Sequence, residues 1–160
     1  MSTGFLKMAL VLIGYSAGLL VAPMVTPSSG AAAGCEPTKP DALGPFYEAN
    51  APERSSVGQG YVLGGQVKSS RDCSAIKGAR IEFWLAGPNG QYDGEHRATV
   101  FSGNAGSYQF ESNFPPSYSG RPPHIHIRVS VEGYRTLVTQ HYPVPGQTKA
   151  AFDLVLISAP

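Results

Sequence analysis

Two histidines one residue apart, His124 and His126, sit in the run Arg121-Pro122-Pro123-His124-Ile125-His126-Ile127-Arg128-Val129. The alternation of this run marks a strand, and on a strand residues two apart project to one face. The two imidazoles therefore stand together, which suits a metal ion. Ile125, Ile127, Val129 and Val131 form an apolar row on the opposite face. Pro122 and Pro123 fix φ just ahead of the pair and bias Arg121 and Pro122 away from helix, so the backbone sets the direction of the side chains. Alone, the pattern fits two hydrogen-bonded surface imidazoles equally well.

An ion needs more than two protein ligands. His96 lies in the polar run Asp93-Gly94-Glu95-His96-Arg97, which reads as a loop with a solvated ring. His141, in Val138-Thr139-Gln140-His141-Tyr142, falls on the face opposite Gln140 and Tyr142. No Asp or Glu occurs in the ten residues before His124, so an ordinary zinc site is poorly supplied, although copper or zinc on His124 and His126 stays open. The remaining oxygen donors are phenols. Tyr92 follows the turn Gly87-Pro88-Asn89-Gly90, and Tyr118 stands six residues before His124 in a proline-stiffened loop. A phenol ionises near pH 10, roughly, but a highly charged bound cation reverses that preference, and hard anionic oxygen then favours Fe(III). Either tyrosine alone also reads as a packed or solvated loop aromatic.

The elements that position these residues are short β-type runs separated by Gly, Pro, Asn and Asp: 61–68, 80–85, 98–101, 107–112, 124–131, 137–142 and 151–157. No segment sustains a helical period. Such spacing predicts an all-β fold, a two-sheet antiparallel β-sandwich, over residues 61–160. Ile81, Phe83 and Leu85 alternate with Arg80, Glu82 and Trp84, so one row is core and Trp84 is a packed aromatic at the sandwich edge. Tyr108 and Phe110 are packing residues. Residues 34–60, rich in Pro, Gly and Ser, read as an irregular N-terminal arm wrapping the domain.

Ahead of the arm, Lys7 precedes an uncharged apolar run from Met8 to Val21, and Gly30-Ala31-Ala32-Ala33-Gly34 supplies small residues. This predicts a signal peptide over residues 1–33 with Ala33 at the cleavage site, and hence an exported protein, secreted or periplasmic, with no membrane span after cleavage. The competing readings are an uncleaved anchor and a lipid-anchored Cys35. Cys35 and Cys73 are the only cysteines, and in an oxidising compartment they predict a disulfide that ties the arm to the sheet, worth on the order of 3 kcal/mol. Beyond residue 33 the chain carries 11 basic and 11 acidic residues, and that neutrality, without a basic cluster, argues against a nucleic-acid partner.

The chain resembles the intradiol ring-cleavage dioxygenases, the family of protocatechuate 3,4-dioxygenase and catechol 1,2-dioxygenase. Ordered blocks carry the resemblance: Cys35-Glu36-Pro37-Thr38, Gly44-Pro45-Phe46-Tyr47, Leu63-Gly64-Gly65-Gln66-Val67, Gly78-Ala79-Arg80-Ile81-Glu82-Phe83-Trp84, Gly90-Gln91-Tyr92, Gly106-Ser107-Tyr108-Gln109-Phe110, Tyr118 through His126, and Leu137 through Tyr142. It implies Fe(III) held by Tyr92, Tyr118, His124 and His126, with Tyr118 the ligand that a catechol displaces. It implies that Arg121 stabilises charge on the activated substrate and that Gln140 borders the site. The implied reaction cleaves a catechol with O2 to a muconate-type diacid. The short stretch between Tyr118 and His124 implies a reduced pocket roof and, with the export signal and the cysteines, looks like a compact secreted branch; a homo-oligomer is compatible with this. The alternative is a secreted β-sandwich binding or structural module that keeps the scaffold without turnover.

Overall fold

The structure is a computed structural model that describes Met1 and residues 34–160; the predicted signal peptide, including Ala33, falls outside the described residues except for Met1. The described chain contains strands β1 (Tyr61–Ser69), β2 (Arg80–Leu85), β3 (Arg97–Phe101), β4 (Ser107–Ser112), β5 (Ile125–Ser130), β6 (Leu137–His141), β7 (Lys149–Ala151) and β8 (Leu154–Leu156), with one 3-10 turn at Gly94–His96. They form two sheets. One has the order β4-β1-β7, with β8 also on β1, and the other has the order β3-β2-β5-β6. The sandwich expected from the strand spacing is present, with one correction: β7 and β8 pair with β1 in parallel, so the first sheet is mixed rather than antiparallel.

The single strand predicted over 151–157 is two short ones, and Asp153 explains the break. Its Oδ1 accepts from Gln66 N at 2.9 Å, standing in for a ladder carbonyl, while Oδ2 pairs with Lys68 Nζ at 2.6 Å. β5 begins at Ile125 rather than His124, two residues after Pro123 of a proline pair that cannot donate to a ladder. The core lies between the sheets. Leu63 and Val67 of β1, Ile81, Phe83 and Leu85 of β2, and Ile125, Ile127 and Val129 of β5 are wholly buried there, and Phe83 stacks on Phe110 across the interface at 4.2 Å.

Residues 34–60 run along the sheet edges. Asp41 N donates to Val138 O on β6, Thr99 N on β3 donates to Pro52 O, and Glu111 N on β4 donates to Ser55 O. Thr38 N donates to Val155 O on β8. Cys35 and Cys73 are joined in a disulfide, which fastens the start of this segment to the loop after β1 and occupies the sulfur that a lipid anchor would need.

His141 points away from Gln140 and packs against Phe152, its Nε2 2.7 Å from Tyr61 Oη. Burial lowers its pKa to about 4 from an ordinary value of 6.5. The unfolded chain therefore binds a proton at this residue between those two values while the folded chain does not, so stability rises with pH across that window. Urea titrations of the metal-free protein are expected to show stability full above pH 6.5 and falling towards pH 4, with a shallower fall in His141→Gln; identical profiles would remove His141 from the account.

Candidate active site

The antiparallel registers of the second sheet place four side chains in one line across its outer face. Arg97 lies opposite Trp84, Trp84 opposite His126, and His126 opposite Gln140. An outer sheet face is usually wet, but here His126 is 2 % exposed and Trp84 2 % exposed, because the arm crosses over them. Gly44 makes the approach possible: its φ is 74°, and a Cβ there would come within 2.9 Å of the His126 ring. Arg97 donates to Phe46 O and to Glu48 Oε1, which fixes the backbone that delivers Phe46. Tyr47 packs on Trp84 at 5.2 Å and hydrogen-bonds Glu82, a buried carboxylate also held by Arg128 at 2.7 Å.

Trp84 is consequently not at the edge of the sandwich. It lies on a central strand and stacks on His126 with ring centroids 4.9 Å apart and planes 6° apart. Alternation correctly separates its row from the core row, but only the cross-strand register reveals what it faces.

Three further segments complete the site. The turn after β2, closed by Gly90 N donating to Gly87 O, carries the chain to Tyr92. Just beyond it Asp93 caps the 3-10 turn and holds His96, Oδ1 to Nδ1, at 2.7 Å. His96 is thus a brace packed beside Gly87, its side chain 13 % exposed, and not the solvated loop ring that its polar neighbours suggest. Tyr118 and Arg121 stand at the two ends of a tight turn joined by reciprocal backbone hydrogen bonds of 3.2 and 2.9 Å. Ser119 (φ 50°) and Gly120 (φ 77°) both take the left-handed conformation between them, the type I′ pattern, which glycine adopts without strain. One turn thereby aims a phenol and a guanidinium at the same place.

Tyr92, Tyr118, His124 and His126, together with Arg121, line a single cavity of about 280 Å³. The Tyr92 and Tyr118 rings are 5.2 Å apart and the His124 and His126 rings 4.9 Å apart. Phe46 stacks on Tyr92 at 4.4 Å and meets Tyr118 edge-on. Gln140 does not line the cavity; its Oε1 accepts from Arg121 at 2.8 Å, so it reaches the site through that arginine. Neither His96 nor His141 joins the group, and among the described residues no three His, Cys, Asp or Glu side chains assemble as a metal site. An ion in this cavity would have to draw on the phenols.

The protonation states follow from the hydrogen bonds. His124 Nδ1 lies 2.7 Å from Pro122 O, which can only accept, so Nδ1 carries the hydrogen. Nε2 then bears the lone pair, and Tyr92 Oη donates to it at 3.0 Å. Burial holds the pKa of His124 below its ordinary value, and burial, reinforced by the neighbouring His124 ring and the positive charge of Arg121, lowers that of His126 to about 4. Both rings are neutral at pH 7, as metal ligands must be. Burial also raises the Tyr92 phenol to about 12.

No family model matches the chain. Its recognisable relatives are nevertheless consistently intradiol ring-cleavage dioxygenases, enzymes of the catechol, chlorocatechol and hydroxyquinol 1,2-dioxygenase type. It is 28% identical to the chlorocatechol 1,2-dioxygenase of Cupriavidus pinatubonensis (strain JMP 134 / LMG 1197), covering 67% of this chain and 55% of that one. It is 30% identical to the hydroxyquinol 1,2-dioxygenase of Rhizobium sp. (strain MTP-10005), over 61% of this chain and 44% of that one. The chain thus spans about half the length of the curated relatives it matches. Among solved structures, the dioxygenase domain of a dioxygenase and carbohydrate-binding protein fusion from Streptomyces sp. SirexAA-E superposes with a TM-score of 0.70 at 28% identity, covering 78% of this chain and all (100%) of that domain.

Proposed function

We propose that this chain is an exported non-haem Fe(III) dioxygenase that cleaves catechol-type rings with O2 to muconate-type diacids. The observation that carries the reading is the meeting of Tyr92, Tyr118, His124 and His126, from three separate segments, in one cavity. Two ligands at about 2 Å from one ion stand roughly 3 Å apart, and Tyr92 Oη and His124 Nε2 are 3.0 Å apart. His126 lines the same cavity with a ring that burial keeps neutral, as a ligand requires. Two hard phenol oxygens beside two imidazoles fit a ferric ion better than zinc or copper.

Held by Tyr92, Tyr118, His124 and His126, a ferric ion would supply Lewis acidity towards the oxygens of a catechol. The protein supplies the rest. His124 is held in the tautomer that keeps Nε2 free by its bond to Pro122 O. Tyr92 is clamped by the stacked Phe46 ring, whereas Tyr118 rides on a two-residue turn, so Tyr118 would be the phenol free to move and to take a substrate proton at Oη. Arg121 places a positive charge at the mouth, where negative charge grows on the reacting ring. Phe46 and Pro45 close one side against water. Support for export comes from the N-terminal run after Lys7 and from the disulfide, a bond at home in oxidising compartments.

Iron reconstitution tests this directly. The loaded protein is expected to show a visible tyrosinate-to-iron band that shifts with catechol, to release protons on metal uptake because Tyr92 must ionise, and to consume O2 with catechol, protocatechuate, hydroxyquinol or caffeate. Protein that takes up no iron, or a spectrum unchanged by Tyr118→Phe, would point to a non-catalytic module. Arg121→Ala is expected to keep iron and colour but lose turnover by about a hundredfold, the usual cost of removing one charge-stabilising donor; metal loss in that variant would contradict the separate role of Arg121.

A further inference from the structure

The guanidinium of Arg121 is carried on a long side chain rising from a two-residue turn, and it can stabilise charge at a fixed point only if something holds it. The structure supplies two holders, both tied to the arm. Arg121 Nη2 donates to Gln140 Oε1 at 2.8 Å and to Tyr142 Oη at 2.9 Å. The shorter contacts set the donor directions. The single Tyr142 hydroxyl hydrogen has two acceptors, Asp41 Oδ2 at 2.8 Å and Gln140 Oε1 at 3.2 Å; the nearer, charged carboxylate takes it, and a Tyr142 lone pair faces the guanidinium. Gln140 Nε2 donates to Ala42 O at 2.6 Å, which turns its Oε1 towards Arg121. Asp41 Oδ1 in turn accepts from Ala42 N at 2.6 Å. Neighbouring arm residues thus address one guanidinium nitrogen by two routes.

We propose that Asp41 and Tyr142 are positioning residues that orient Arg121, so that the disulfide-pinned arm sets the direction of the charge that meets the substrate; this rests on the dioxygenase reading above. Neither residue lines the cavity. The Tyr142 ring also lies 6.2 Å from that of His124, and iron content separates any effect through that contact from one through Arg121. The arm at this point is itself fixed, by Asp41 N donating to Val138 O at 2.9 Å and by Thr139 Oγ1 donating to Lys39 O at 2.9 Å. Tyr142 is 40 % exposed, so removing its hydroxyl leaves the core untouched.

The test uses Tyr142→Phe and Asp41→Asn in the full chain, with two readouts. In the iron-loaded protein each variant is expected to lower kcat for catechol about tenfold with KM, iron content and the visible band nearly unchanged, because an interaction realised in the transition state is lost. In an Arg121→Ala background, Tyr142→Phe is expected to have no further effect. In the metal-free protein, the heteronuclear NOE of the Arg121 Nε–H group is expected to fall in both variants, reporting a released side chain. Additive losses in the double variant, or an unchanged NOE, would overturn the proposal. If the wild-type protein takes up iron yet cleaves no catechol, the dioxygenase reading fails while the NOE still decides the clamp.

Discussion

If Tyr92, Tyr118, His124 and His126 share a ferric ion as proposed, His126→Ala is expected to abolish iron uptake while leaving the sandwich folded. His126 stands at the centre of the outer face of the second sheet, between Trp84 and Gln140, with the Tyr92 ring 5.9 Å and the His124 ring 4.9 Å away. Changes to residues that merely orient a ligand commonly weaken metal binding 10- to 100-fold, roughly, so losing the ligand itself should cost on the order of a thousandfold. The fold is insulated from this change. The core lies on the other face of β5, with Ile125 and Ile127. Lost packing against Trp84 is expected to cost about 2 kcal/mol. Metal analysis after reconstitution and thermal unfolding of the metal-free protein provide the check. A variant that keeps iron and colour would show that the four side chains do not share an ion.

Breaking the Cys35–Cys73 bond, by reduction or with paired serines, is expected to lower stability by about 3 to 4 kcal/mol. The cysteines are 38 residues apart, and closing a loop of that size in the unfolded chain accounts for the figure. The loss should be uneven. Residues 34–42, next to the bond, are held mainly by single hydrogen bonds to β6 and β8 and are expected to release first, whereas Phe46 and Tyr47 keep their ring packing on Tyr92 and Trp84. Urea unfolding with and without reductant measures the total, and hydrogen exchange of Asp41 and Thr99 locates it. A shift below about 1 kcal/mol would mean that the arm is held by its edge bonds alone.

What the sequence discloses of this fold is what alternation and turn chemistry disclose. The bounds of β2 and β4 are readable because apolar and polar residues alternate without interruption between Gly and Pro markers. Residues Tyr92, Tyr118, His124, His126 and Arg121 can be named in advance as candidates, two from local spacing and all from the ordered family blocks. Everything that depends on lateral register stays hidden. Nothing near Trp84 in the chain says that it will lie beside His126, since that adjacency is made by the β2–β5 pairing. The split between β7 and β8 is equally silent, because Asp153 acts through Gln66 and Lys68, more than 80 residues away. The link from Asp41 to Tyr142 spans 101 residues. A short polar loop hides the packed state of His96, whose environment is assembled by the cap at Asp93.

The segment that runs along β3, β4, β6 and β8 also governs how this domain meets other molecules. Unpaired strand margins are templates on which a second chain can extend a sheet and start aggregation, and here most of them are already taken. The margin at β7 is only three residues long and begins with an exposed lysine, a poor seed for growth. The same segment that roofs the face carrying Trp84 and His126 therefore also covers edges open to sheet extension, and shortening it is expected to lower solubility.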